Sequence, residues 1–211
     1  MPAPVKHKTP AIPDFWQSRF TLNARAALPY QWRRYEEAGT IENFRIAAGK
    51  KKGQRRGFFY TDSDLHKWAD AAARALAVKP DKKLAAMLAE YITIVKKARE
   101  KDGYLFTFNQ IHFPGTRWKN LQIEHELYCM GHFIEAGVSH YLATGSRELL
   151  DIVIVTANLI AARFAKATPR ETPGHQEIEL ALLRLYTVTG TRSYLETAAR
   201  FLEMRGRMKL P

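Results

Sequence analysis

From Asp62 onward the apolar residues of this chain fall at intervals of three and four, in runs that come in pairs. Leu65, Trp68, Ala69, Ala72, Ala73, Leu76 and Ala77 line one side of a helix whose start is marked by the capping side chains of Asp62, Ser63 and Asp64. Lys79-Pro80-Asp81 breaks that run, because proline cannot continue a helix, and Asp81 caps a second run through Leu84, Met87, Leu88, Tyr91, Ile92 and Val95. A second pair runs from Ile123 to Ala143, turns at Thr144-Gly145-Ser146, and returns through Leu149, Leu150, Ile152, Val153, Leu159 and Ile160 to Phe164. A third starts near His175, passes Leu180, Leu182, Leu183, Leu185 and Tyr186, turns at Thr189-Gly190-Thr191, and returns through Tyr194, Leu195, Ala198, Phe201 and Leu202 to Gly206.

The second and third pairs are related to each other. Aligning Gly131-His132 with Gly174-His175 brings Thr144-Gly145 nearly into register with Thr189-Gly190, and sets Glu148-Leu149-Leu150 against Tyr194-Leu195-Glu196. A period of roughly 45 residues built of two helices predicts stacked helical pairs, in a solenoid or a closed toroid. The run from Ile178 to Val188 is apolar on nearly every side, which predicts a helix covered all round and favours a toroid with an inner and an outer ring. Closing such a ring takes about six pairs, or roughly 300 residues at this period. The expected fold is all-α: an incomplete (α/α)6 toroid of about three helical hairpins with an N-terminal extension, in a chain of 211 residues expected to be truncated.

Between the hairpins, Asp102 to Phe108 alternates enough to predict a short extended piece after a turn, and Pro114 to Trp118 predicts a loop with an exposed aromatic. In a toroid such loops surround one mouth, where aromatics and polar tips suit a sugar. Composition narrows the class further. With 46% hydrophobic and 26% charged residues the chain is an ordinary globular sequence. The lone cysteine, Cys129, excludes an intrachain disulfide and a zinc site built mainly of thiolates, and fits a reducing compartment. The segment Met1 to Pro10 lacks the apolar run of a signal peptide, and no stretch approaches the roughly 20 apolar residues of a membrane span, so a cytoplasmic protein without a membrane partner is expected. The net charge of +12 invites nucleic-acid binding. Only Lys50 to Arg56 forms a dense basic cluster, however, and no nucleic-acid-binding motif accompanies it, so the charge reads as solvated surface.

The segment from Asn120 to Gly137 carries the most chemistry. On a helix, His125, Cys129, His132 and Ala136 fall in one stripe, opposite Ile123, Leu127, Met130, Ile134 and Tyr141. Cys129 with His125 or His132 has the spacing of a thiolate–imidazole pair, but an isolated cysteine is more often a small buried hydrophobe. A metal would need partners from elsewhere, His175 first, because ligands spread over two turns of one helix cannot reach a single ion. Asp64, Glu126, Glu135, Glu177 and Glu179 are candidates for a glycosidase carboxylate pair, though spacing elects no two of them and helix-start carboxylates commonly serve the dipole. The reading that asks least gives His125 and His175, each at the start of an inner helix, to hydrogen bonds with substrate hydroxyls at the mouth.

Seven blocks in order carry a resemblance over nearly the whole chain: Leu28 to Trp32, Gly39 to Phe44, Asp62 to Trp68, Asp102 to Leu105, His125 to His132, Gly174 to Leu182, and Arg205-Gly206. The chain resembles the N-terminal half of the catalytic domain of glycoside hydrolase family 127, the β-L-arabinofuranosidase family with an (α/α)6 barrel. The resemblance implies that Gln31, His125 and His175 contact the sugar. It also implies that a cysteine nucleophile, a glutamate acid/base and a zinc ion held by cysteines and a glutamate belong to the second half of the barrel, with no matching positions here; Cys129 belongs to a different block. The expected organisation is a flexible extension over residues 1–14, the half-barrel over 15–206 and a short tail over 207–211, without a catalytic residue or a cofactor of its own. Expected partners are an arabinofuranoside-like carbohydrate if the fold is completed, and a C-terminal half or a second copy covering the apolar flanks. The competing expectation is a basic helical-repeat module that binds an anionic partner through Lys50 to Arg56.

Overall fold

The computed structural model describes residues 14–207, so the expected N-terminal extension and C-terminal tail lie almost wholly outside the described residues. Three helical hairpins follow one another as read from the sequence: α4 (Asp62–Val78) with α5 (Lys82–Ala98), α7 (Glu126–Thr144) with α8 (Glu148–Arg163), and α9 (Ile178–Thr189) with α10 (Arg192–Met204). The first helix of each pair forms an inner layer, α4 against α7 and α7 against α9, and the second forms an outer layer. Inner neighbours run parallel, because Lys67 meets Tyr128 early in α4 and α7 while Asp70 meets Ser139 further along. The N-termini of α4, α7 and α9 therefore share one end of the layer.

The turns obey the chemistry read from the sequence. Asp81 caps α5 by accepting from Leu84 N at 3.0 Å, and Gly145 and Gly190 end α7 and α9 in the left-handed conformation that glycine adopts without strain. The interior between the layers is filled by Leu65, Trp68, Tyr91, Met130, Phe133, Leu149, Val153, Leu182, Tyr194 and Phe201, all buried. Gly137 lets α8 come close, since a Cβ there would sit 2.4 Å from Val153.

Ahead of the hairpins, α1 (Asp14–Leu22) passes through a π-helical turn (Asn23–Ala27) into α2 (Leu28–Ala38), followed by α3 (Thr40–Ala47) and an irregular stretch over residues 48–58, and some local expectations further along the chain are corrected. Trp32 tilts against Trp68 at 4.6 Å and Trp68 Nε1 donates to Leu28 O at 2.9 Å, which fixes α2 on α4. Asp62 does not cap α4. It is buried within α4 and accepts from Thr107 N at 2.6 Å, and so serves the first turn of α6 (Thr107–His112), a short helix that takes over from the expected extended piece at Thr107, just after the extended Phe106. Trp118 is packed edge-on between Tyr104 and Phe164, so the aromatic expected to be exposed is partly buried. The helix α9 is not covered all round, as Leu180 is 53% exposed; the face that would meet a further inner helix is open.

Candidate functional site

The three parallel inner helices bring the loops before them to one mouth, and two glycines decide how closely those loops meet. Gly174 N donates to Leu121 O at 3.0 Å, and a Cβ on Gly174 would lie 1.9 Å from Gln122 O, so the loop before α9 crosses the loop before α7 at a point only glycine can occupy. On α7, a Cβ at Gly131 would lie 2.8 Å from Glu177 Cγ, which lets the start of α9 press against that helix. The result is that His125 and His175, fifty residues apart in the chain, stand with ring centroids 5.3 Å apart.

Each imidazole is oriented by its own backbone. His125 Nδ1 lies 3.0 Å from Ile123 O and His175 Nδ1 lies 2.7 Å from Gln176 O. A carbonyl oxygen only accepts, so Nδ1 carries the hydrogen in each neutral ring and Nε2 is left as an acceptor. Two acceptors side by side suit a ligand with hydroxyl donors. The loop under His175 is clamped by Arg205, whose guanidinium donates to Pro173 O at 2.9 Å, to His175 O at 3.4 Å and to the Glu179 carboxylate. This gives the Arg205-Gly206 block a role.

Tyr128 is the hub beneath the pair. Its ring lies 4.3 Å from His175, 4.6 Å from His132 and 5.2 Å from His125, and its hydroxyl accepts from Lys67 Nζ at 2.7 Å. Below it, His132 Nδ1 comes within 3.1 Å of Glu177 Oε1, an oxygen that has no hydrogen-bond partner among the described residues. Burial, with the Glu135 charge added, pushes the Glu177 carboxyl up to about 7, and burial lowers the His132 imidazole to about 4. Further along, Ser139 bridges Asp70 and Arg184, and Arg184 faces Glu135 at 2.7 Å. Tyr128, His132, Glu135 and Ser139 thus form the polar stripe of α7 that faces the inside of the ring.

That stripe revises the one read from the sequence. The helix α7 starts at Glu126, so Ile123 lies outside it and is 64% exposed, and His125 occupies the position just before the first turn. Cys129 and Ala136 are buried, Cys129 towards α4 with its thiol 3.6 Å from Tyr60 O, while His132 faces inward. Burial pushes the Cys129 thiol well above its ordinary range, which suits the packing role and opposes a nucleophilic one. Among the described residues no three His, Cys, Asp or Glu side chains come together to hold a metal. Gln31 is exposed on α2, one turn before Tyr35, which feels the charge of Asp64 at the start of α4.

Glu126 is structural as well. Fully buried, it accepts from Tyr104 OH and from Trp118 N at 3.0 Å, and thereby holds Trp118 in a left-handed conformation, φ 65°, that costs a non-glycine residue about 1–3 kcal/mol. Arg55, one arginine of the basic cluster, is buried and bound to Thr107 Oγ1 at 2.9 Å, Gly57 O at 3.0 Å and Asp62 at 3.2 Å. It is an internal bolt and is not available to an anionic partner.

Residues 11–210 match the family described as the β-L-arabinofuranosidase GH127 catalytic domain. The chain belongs to that family. It is 33% identical to the non-reducing end β-L-arabinofuranosidase of Bifidobacterium longum subsp. longum over 91% of its own length and 33% of that protein's. It superimposes with a TM-score of 0.87 and 41% identity on a GH127 β-L-arabinofuranosidase from Geobacillus stearothermophilus T6, covering 91% of this chain and 32% of that one. A GH127 β-arabinofuranosidase gives a TM-score of 0.83 at 35% identity, over 93% and 33% of the two chains. The chain thus spans about a third of the length of the relatives it matches, and within that third it has the family's helical toroid architecture. Among the described residues no helix is long and apolar enough to cross a membrane.

Proposed function

We propose that the chain is the sugar-binding portion of a β-L-arabinofuranosidase-type glycoside hydrolase, in which His125, His175 and Gln31 take hydroxyls of an arabinofuranoside. The observation that carries this reading is the histidine pair, 5.3 Å apart at one mouth with both Nδ1 atoms committed to backbone carbonyls. The nucleophile, the acid/base and a zinc site are assigned to the part that relatives carry beyond the matched third, so the chain alone binds without hydrolysing. That part, covering the open face at Leu180, is the proposed partner, and a second copy is the alternative cover.

The test joins the chain, as a fusion or in trans, to the remaining segment of a GH127 relative and measures release of p-nitrophenol from p-nitrophenyl β-L-arabinofuranoside. Hydrolysis is expected only in the joined form, with His125→Ala and His175→Ala each lowering kcat/KM about tenfold or more through loss of a hydrogen bond and of its orientation. Lasting inactivity of a correctly folded joined protein would count against the reading.

A further inference from the structure

Resting on the sugar-binding reading of His125 and His175, we infer that Phe58 and Tyr60 form a second carbohydrate subsite, which takes the sugar residue linked to the one at the histidine pair. The two rings are nearly parallel, 10° apart with centroids 5.4 Å from each other, and both lie in water: Phe58 is 69% and Tyr60 38% exposed. Between them Phe59 turns inward, half-buried against Phe108 and 5.0 Å from His125. Tyr60 itself lies 5.6 Å from His125. Phe58, Tyr60, His125 and His175 are thus linked ring to ring, with successive centroid steps of 5.4, 5.6 and 5.3 Å, each about the width of a single sugar ring. A monosaccharide at the histidine pair leaves the exposed Phe58 and Tyr60 for a linked second residue.

The backbone beneath the two exposed rings is fixed. The buried Arg55 guanidinium donates to Gly57 O at 3.0 Å and Phe59 O at 3.4 Å, the Cys129 thiol points to Tyr60 O at 3.6 Å, and Thr61 N donates to Phe58 O at 3.1 Å. A fixed backbone carrying exposed aromatic faces lowers the ordering cost of binding. The face of an aromatic ring carries negative charge density and attracts the polarised C–H groups of a sugar's apolar face, while the adjoining imidazoles accept from its hydroxyls. A purely apolar ligand would satisfy the rings and leave the imidazoles unused; a saccharide of two residues satisfies both.

Saturation-transfer NMR and titration of the full chain with methyl β-L-arabinofuranoside and with a β-linked arabinofuranose disaccharide test this. The unmodified chain should bind the disaccharide about tenfold more tightly, with saturation reaching the protons of both rings. Phe58→Ala and Tyr60→Ala should remove that preference and leave the monosaccharide affinity unchanged, while Tyr60→Phe retains it. Equal affinity of the unmodified chain for the two ligands, or equal weakening of both by the alanine variants, would overturn the subsite. Disaccharide preference that survives His125→Ala and His175→Ala unchanged in both ligands would sink the histidine reading and leave the aromatic subsite standing.

Discussion

Gly174→Ala is the sharpest perturbation of the geometry described above. The added methyl carbon would start 1.9 Å from Gln122 O and 2.6 Å from Gln122 C, both backbone atoms that no rotamer change can clear. Ordinary carbon–oxygen contact requires well over an ångström more, so the two loops must part. Parting breaks the Gly174 N to Leu121 O hydrogen bond, at about 1 kcal/mol, and adds an overpacking cost of about 1–3 kcal/mol. The expected loss is about 2–4 kcal/mol in urea unfolding, together with shifted His125 and His175 imidazole resonances, because those rings sit on the separated loops. Gly145→Ala is the control: its Cβ would meet nothing, and only the positive φ of 73° opposes it, so the histidine resonances should not move. A Gly174→Ala protein within about 0.5 kcal/mol of the unmodified chain, with unmoved histidine signals, would refute the crossing-loop account of the pair.

Other outcomes follow from groups buried elsewhere. Arg55→Ala leaves the Asp62 carboxylate buried without its cation and should destabilise the chain by about 3–5 kcal/mol in chemical unfolding; a loss below about 1 kcal/mol would show that Thr107 alone satisfies Asp62. Burial raises Glu126 to about 7 from its ordinary 4.5, so it binds its proton more tightly folded than unfolded, and its contribution is complete below pH 4.5 and lost as pH rises to about 7. Glu126→Gln should therefore flatten the fall of stability across that window by at most about 3 kcal/mol relative to the unmodified chain, and curves that stay parallel would contradict the assignment. His132, lowered to about 4, gives the opposite slope between about 4 and 6.5 in both proteins and cancels in the difference. Cys129, fully buried with a raised thiol pKa, should resist iodoacetamide in the native chain and react on unfolding; fast native labelling would show that the region under Tyr60 opens.

The hairpins are legible because two local signals agree in each: an apolar stripe of helical period and a proline or glycine break after it. Asp62 is misread for the opposite reason. An aspartate just before an apolar run has the look of a cap, and its true partners, Arg55 and Thr107, are identified only by the packing of a loop and of α6. The helix α1 carries no clean stripe, since Phe15, Trp16 and Leu22 are all exposed, so period alone does not announce it. At the site, the sequence places His125 and His175 at helix starts and names Glu177 among the candidate carboxylates, while it does not single out Tyr128 or Lys67, because attention to imidazole and thiol groups selects the wrong stripe of α7. The polar positions 128, 132, 135 and 139, four and three apart, are the signal that marks the inward face.

What positions the histidine pair lies wholly within this chain. Leu121 O holds Gly174, Ile123 O and Gln176 O orient the two rings, Arg205 clamps the loop under His175, and Lys67 anchors Tyr128 beneath both. None of these contacts uses a side chain on the exposed faces of α9 and α10, where Leu180 and Leu202 are each 53% exposed. Covering those faces should therefore raise the stability of the chain, through removal of apolar surface from water, without being needed to form the pair. On that argument binding and turnover are separable: a sugar ligand should find its hydroxyl acceptors already placed in the chain alone, and hydrolysis should depend on what is added to it.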